Sequence, residues 1–231
     1  MKVLITGTSR GIGKATALKF LSEGAQVIGL DKEEDTISQD SKVQNPKNYS
    51  HFIADISDAR SLPEISDVEI LVNNAGIQTP GYVAEGEKDI RVNLLGTMAV
   101  TEKYAFQPKI KSVLFNASVS ALTGNEFPAY AASKAGMVGY MKNCAIRLAN
   151  RFHATCNALC FGGVLTELNE AVIKDSAQWQ KIMDVTPLKR WATPEEAAEW
   201  IYFLTVTNSF CTGQAIDVSG GERNCADLFV W

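Results

Sequence analysis

The sequence predicts an α/β protein: a doubly wound parallel sheet of about seven strands, covered by helices on both faces in three α/β/α layers. Three observations predict it. Short apolar runs alternate along the chain with segments whose apolar residues recur at helical spacing. A glycine-rich turn, ITGTSRGIG, joins the first such run to the first helical segment. The 231 residues suffice for one substantial core, with no composition shift, fixed-period repeat or low-complexity stretch to mark a boundary, so one domain over 1–231 is expected.

Lys2–Thr6 is the first strand, and 14–22 has the spacing of a helix. Residues 25–30 form a second strand that ends at Asp31, followed by strands at 51–54 and 69–73. Between the second and third lies KEEDTISQDSKVQNPKNYS, polar and turn-rich, so any crossover helix there is short. A helix over 88–104 leads to a fifth strand at Ser112–Asn116, and a long helix rich in Ala, Met and Gly covers 128–151. A sixth strand at 155–159, a helix at 195–205 and a seventh strand at 214–218 complete the alternation. The segment 166–190 reads as an inserted, flexible piece that covers the substrate.

Composition excludes several classes. Hydrophobic residues make up 46% and charged residues 21%, the balance of an ordinary globule rather than a disordered chain. A net charge of −4 argues against a nucleic-acid partner. The start MKVLITG passes directly into a strand pattern, and no apolar run is long enough to cross a bilayer, so a cytoplasmic location with no membrane partner is expected. Cys144, Cys156, Cys160, Cys211 and Cys225 are scattered, and with only His51 and His153 they suggest neither a disulfide framework nor a metal site; they read as free thiols.

The chemistry is carried by three groups. In the glycine turn Gly7 permits the bend, Gly11 lets backbone approach a pyrophosphate, and Gly13 allows close helix packing, while helix N–H groups face the anion. Asp31, eighteen residues after Gly13, stands where a carboxylate accepts hydrogen bonds from an adenosine ribose and repels a 2′-phosphate, which favours NAD(H). Arg10 and Lys32 offer compensating charge, so NADP(H) stays an alternative. Asp55 follows the third strand, where it can meet the adenine. Tyr130 and Lys134 are four apart and share a helix face, so the ammonium can lie beneath the phenol ring and make it more acidic. Ser118 precedes them and can join Tyr130 in holding a substrate oxygen; Ser120 competes for that role. Together these groups point to a nicotinamide-dependent oxidoreductase.

The chain resembles the short-chain dehydrogenase/reductase family over almost its whole length. The residues that carry the likeness are 6–13, Asp55, Asn73-Asn74-Ala75-Gly76, Asn93, Ser118, Tyr130 with Lys134, and TGQAIDVSGG at 212–221. The resemblance implies a Rossmann-type domain that transfers a hydride between a nicotinamide and an alcohol or ketone. It implies catalytic roles for Asn93, Ser118, Tyr130 and Lys134, with Asn93 holding a water that extends the proton path. Gly7, Ser9, Arg10, Gly11, Ile12 and Gly13 would form the dinucleotide site with Asp31, Asp55, Ile56, Asn74, Ala75 and Gly76. Tyr130 and Lys134 would contact the same cofactor, Val164 the carboxamide and Thr166 the pyrophosphate. Phe161 departs from the family, which usually carries proline there, and adds freedom at a bend beside the nicotinamide. That departure motivates the alternative reading, a catalytically silent dinucleotide-binding regulator or scaffold. Segments 58–68 and 77–92 are shorter than usual, consistent with a trimmed helix or an opened edge.

Leu122, Phe127, Leu168, Trp179 and Met183 suggest an apolar substrate pocket, with Gln78 and Asn125 offering hydrogen bonds. An uncharged or largely apolar alcohol or ketone is therefore expected: a 3-oxoacyl thioester, a hydroxysteroid or other cyclic alcohol, or a dihydrodiol. The family implies a homotetramer or homodimer, built through the helix of Tyr130 and the C-terminal segment. The ending ADLFVW supports association or folds back over the pocket.

Overall fold

The first apolar run forms β1 (Lys2–Thr6), in which Val3 and Ile5 enter one core and Leu4 the other, all fully buried. Side chains alternate across a strand, so this pattern demands cover on both faces. The computed structural model describes residues 1–81 and 85–223, and the ADLFVW ending and Cys225 lie outside the described residues.

The chain continues through α1 (Gly11–Ser22), β2 (Gln26–Asp31), β3 (Tyr49–Ile53) and β4 (Ile70–Asn73). Then come α2 (Glu87–Asp89), α3 (Thr97–Tyr104), β5 (Ser112–Asn116), α4 (Ser120–Thr123) and α5 (Pro128–Phe152). The last third holds β6 (Thr155–Phe161), α6 (Glu170–Lys174), α7 (Ser176–Val185), α8 (Pro194–Tyr202) and β7 (Ala215–Val218). Among the described residues these strands form one seven-stranded parallel sheet in the order β3-β2-β1-β4-β5-β6-β7. The order reverses between β1 and β4, and a crevice opens at the carboxyl ends of the strands there.

One face is covered by α1 and α8, whose core includes Phe20 and Ile201, and the other by α3 and α5, around Tyr104, Met141 and Leu148. Local signals set the helix ends. Pro128 starts α5 where its missing N–H costs nothing, and His153 stops it in a left-handed conformation at φ 54°. Thr193 and Glu196 form a capping box at the start of α8.

Two crossovers are abbreviated. Between β2 and β3 the only helical piece is the single turn Pro46–Asn48, and between β3 and β4 it is Ala59–Ser61. The edge is correspondingly open, with Phe52 and Ile53 on β3 exposed. One expectation needs correction. The 166–190 segment is not one flexible insertion but carries α6 and α7, the latter capped by Asp175 on the N–H groups of Ala177 and Gln178. Phe161 is buried as the last residue of β6, in register with Val218 of β7 and directly before the Gly162 bend.

Gly13 in α1 packs so tightly on β1's turn that an added Cβ would lie 1.9 Å from the Gly7 carbonyl oxygen, whereas at Gly139 in α5 it would meet nothing. Gly13→Ala should destabilise by about 2–3 kcal/mol, and Gly139→Ala should stabilise by about 0.5–1 kcal/mol. Denaturant unfolding of the two variants tests this, and equal effects would contradict it.

Candidate active site

The crevice is a single cleft of about 1200 Å³ that runs from the glycine turn to the start of α5. Gly7 and Gly11 take positive φ, 75° and 55°, which lets the turn after β1 face the cleft with its backbone. Asn74, after β4, ties that turn in place: its Nδ2 donates to the carbonyls of Thr6 (2.9 Å) and Gly7 (3.1 Å), and its Oδ1 accepts from Asn116 Nδ2 (2.7 Å). The Thr6 hydroxyl accepts from the N–H groups of Asn74 and Ala75, both at 3.0 Å.

Of the expected dinucleotide residues, Gly7, Arg10, Gly11, Ile12, Asp31, Asp55, Ile56, Asn74, Ala75, Gly76, Val164 and Thr166 line the cleft. Ser9 and Gly13 stand behind it. The Ser9 N–H donates to Asp31 Oδ2 (2.8 Å) and its hydroxyl to the Glu34 carbonyl (2.9 Å), so Ser9 positions Asp31 rather than facing the cleft. Asp31 Oδ1 also accepts from the Glu33 N–H (3.0 Å), and Asp55 Oδ1 from Ser57. A positive-φ glycine turn, a helix start and a carboxylate at the end of β2 together suit a dinucleotide.

At the other end, Tyr130 and Lys134 lie on the first turns of α5, both buried, with Lys134 Nζ 5.7 Å from the Tyr130 ring centre. Lys134 Nζ donates to the Asn116 carbonyl at 2.9 Å. Ser118 lines the cleft beside the phenol; Ser120 sits behind it, where its hydroxyl accepts from Ser118 Oγ (3.0 Å). Asn93 is fully buried and off the cleft. Its side chain exchanges hydrogen bonds with the Ile77 backbone in both directions (2.8 Å each), and its Nδ2 donates to Ser133 Oγ (3.1 Å). It is presented by a π-helical stretch, Ile90–Gly96, a form that recurs at functional sites.

The expectation of an acidified phenol is not met. Burial holds Tyr130 well above the usual tyrosine range, and the opposing influence comes from the Ser118 hydroxyl, not from Lys134. Burial acts on the lysine too, pushing it down to about 8, against the pull of Cys160, Asp89 and Glu126.

The apolar pocket is also redrawn. Phe127, Leu168, Gln78 and Asn125 line the cleft, but Leu122 packs against the core, Met183 is buried, and Trp179 stands edge-on to Trp191 with ring centres 4.9 Å apart. Several acidic residues were missed, Glu126, Glu222 and Asp89 among them. Glu126 and Glu222 line the cleft, and Asp89 is fully buried, its Oδ1 accepting from the Thr79 N–H (3.1 Å) and its Oδ2 without a partner. Asp89 stands one turn before Asn93, a spacing that signals a shared face but not burial. Among the described residues no His, Cys, Asp and Glu group has the makings of a metal site, and no helix is long and apolar enough to cross a membrane.

The family described as enoyl-(acyl carrier protein) reductase matches residues 7–222. The chain belongs to the short-chain dehydrogenase/reductase family. This short-chain dehydrogenase/reductase is 33% identical over 240 residues to the 3-oxoacyl-[acyl-carrier-protein] reductase of Thermotoga maritima, covering 94% of the chain and 96% of that relative. It is 33% identical over 242 residues to the glucose 1-dehydrogenase of Gluconobacter oxydans, covering 95% and 91%. The solved 4-hydroxyisoleucine dehydrogenase complexed with NADH has a TM-score of 0.86 at 25% identity, covering 97% of this chain and 99% of that one. Another similar structure holds NADP, so the family uses either nicotinamide dinucleotide. The protein is an oxidoreductase with a Rossmann-type nucleotide-binding fold.

If burial sets the charge of Lys134, side-chain NMR of lysine-labelled protein will find it titrating near 8, and Asp89→Asn will lower that midpoint further by removing a stabilising negative charge. An ordinary lysine midpoint would contradict this.

Proposed function

We propose that the chain transfers a hydride between NAD(H) and an alcohol or ketone, with Ser118, Tyr130 and Lys134 acting on substrate and cofactor and Asn93 supporting them. In this reading 1–231 works as one catalytic domain whose α6–α7 segment covers the substrate. The observation that carries it is a phenol and a serine hydroxyl side by side at one end of a cleft whose other end is the glycine turn.

When bound, the nicotinamide supplies or takes up the hydride. The remaining work belongs to the chain. Gly7, Arg10, Gly11, Ile12, Asp55, Ile56, Asn74, Ala75, Gly76, Val164 and Thr166 would hold the dinucleotide, with Ser9 and Gly13 shaping the turn from behind. Asp31, at the ribose end, favours NAD(H) over NADP(H), although Arg10 and Lys32 line the same end. The Ser118 and Tyr130 hydroxyls hold the substrate oxygen and offset the charge that develops on it. A phenol kept protonated by burial is set to give its proton to a ketone oxygen. Lys134 grips the cofactor ribose, and Asn93, through Ser133 and the Ile77 backbone, keeps α5 and the loop after β4 in register.

Phe161, on which the silent-scaffold reading rests, is buried as the last residue of β6, an ordered strand end that suits the active reading. Family members are typically oligomeric, and a homotetramer or homodimer through α5 is supported by the exposed Ile146 on that helix and by Leu95.

Fluorescence titration and single-turnover rates with a ketone panel test the reading together. NADH should bind more tightly than NADPH, and Tyr130→Phe should keep NADH affinity while lowering the transfer rate by about 10²–10⁴-fold. NADPH binding as tightly as NADH would overturn the role of Asp31, and undiminished turnover would remove Tyr130 from the chemistry.

A further inference from the structure

Two carboxylates that the proposed chemistry leaves unused, Glu126 and Glu222, line the substrate end of the cleft. They arrive from distant parts of the chain: Glu126 lies four residues before Tyr130, and Glu222 follows β7. Glu126 takes a left-handed backbone, φ 74°, and its Oε2 accepts from Gln78 Nε2 at 2.6 Å. Strained non-glycine backbone of this kind clusters at ligand sites. Glu222 Oε1 accepts from Thr186 Oγ1 at 2.9 Å, and its Oε2 sits over Gly162, 2.8 Å from where a Cβ would be.

Both carboxyls are held above their usual range, first by desolvation within the cleft, although the Glu126 side chain still reaches solvent; the charge of Glu222 adds to the effect on Glu126, and that of Asp217 to the effect on Glu222. Every lysine and arginine of the chain lies among the described residues, yet neither glutamate has an ion-pair partner among them. The cationic influence on Glu126 is that of Lys134, already engaged with the Asn116 carbonyl. A ligand cation would relieve the mutual repulsion of the two carboxylates, which a neutral substrate cannot do.

An independent observation comes from Trp191. Its indole packs on Gly163, where a Cβ would fall 2.0 Å from Nε1, and it is 8% exposed. The N–H faces Glu222 along the same stretch of cleft but makes no hydrogen bond of good geometry. An enclosed donor without a well-formed bond thus stands beside Glu222, and both carboxylates have hydrogen-bond donors but no ion pair, which leaves negative charge at this stretch of cleft for a ligand's positive donor group to meet. Phe127 and Leu168 offer apolar wall for its carbon skeleton.

We propose that Glu126 and Glu222 bind a protonated amine, so that the substrate is an amino alcohol or its amino ketone rather than an uncharged one. This rests on the oxidoreductase reading above.

Three ketones of nearly equal shape test it: β-aminopropiophenone, butyrophenone and β-benzoylpropionate, ending in an ammonium, a methyl and a carboxylate. Their affinities are measured by calorimetry on the wild-type protein saturated with NAD⁺, where no ketone can be reduced. The amine should bind about tenfold more tightly than the methyl ketone near neutral pH, and the carboxylate most weakly. The Glu126→Gln/Glu222→Gln double variant should lose the difference. Equal wild-type affinities for amine and methyl ketone, or a preference that survives in a folded double variant, would overturn the proposal. Turnover with NADH is measured in parallel: amine-selective binding with no ketone reduced would support the amine site and overturn the ketone-reduction reading.

Discussion

A lysine ammonium buried where the strands end has to be solvated by the protein itself, and most of the cleft is arranged around that need. Lys134 is 4% exposed and donates to the Asn116 carbonyl at the end of β5. Asn116 in turn donates to Asn74, and Asn74 to the Thr6 and Gly7 carbonyls of the glycine turn. One run of hydrogen bonds thus links α5, β5, the loop after β4 and the turn after β1. Stranding a buried charge is costly, and a partly satisfied polar network is worse than none, so these elements hold one another in register. The result spans the point where strand order reverses, with the phenol at one end and the glycine turn at the other.

Most of the fold was legible because its signals are local. The seven strands, the glycine turn and the long helix starting at Pro128 each announce themselves within a few residues, and four-residue spacing alone brings Lys134 under Tyr130. What was not legible depends on burial or on distant contacts. The phenol was expected to be acidic, yet desolvation raises it and the opposing influence is the Ser118 hydroxyl, although the ammonium lies 5.7 Å from its ring centre. Asp89 reads as an ordinary surface residue in a polar stretch, and only the fold buries it beneath the site. Glu126 and Glu222, far apart in sequence, line one cleft, a juxtaposition with no sequence period to reveal it. Helices α6 and α7 were hidden by their shortness, and Asp175 before α7 was their clearest signal.

The two ends of the cleft differ in electrostatic character. At the nucleotide end Asp31 and Asp55 are occupied by backbone N–H groups and Ser57, and Arg10 and Lys32 stand close by. At the substrate end Glu126 and Glu222 have hydrogen-bond donors but no ion pairs. The relatives span acyl-carrier, sugar and amino-acid dehydrogenases and reductases, consistent with a shared cofactor half and a variable substrate half. In this chain the loop before α5, the α6–α7 segment and the turn after β7 all line the cleft.

The most direct measurement removes the buried charge while keeping its shape. With Lys134→Met, NADH affinity and single-turnover rate are read on the same preparation, alongside its unfolding curve. Both should fall together in a protein that still folds, because the ammonium supports the cofactor end and the phenol at once. A folded variant that binds NADH and reduces a ketone as the parent does would contradict the central role given to that lysine.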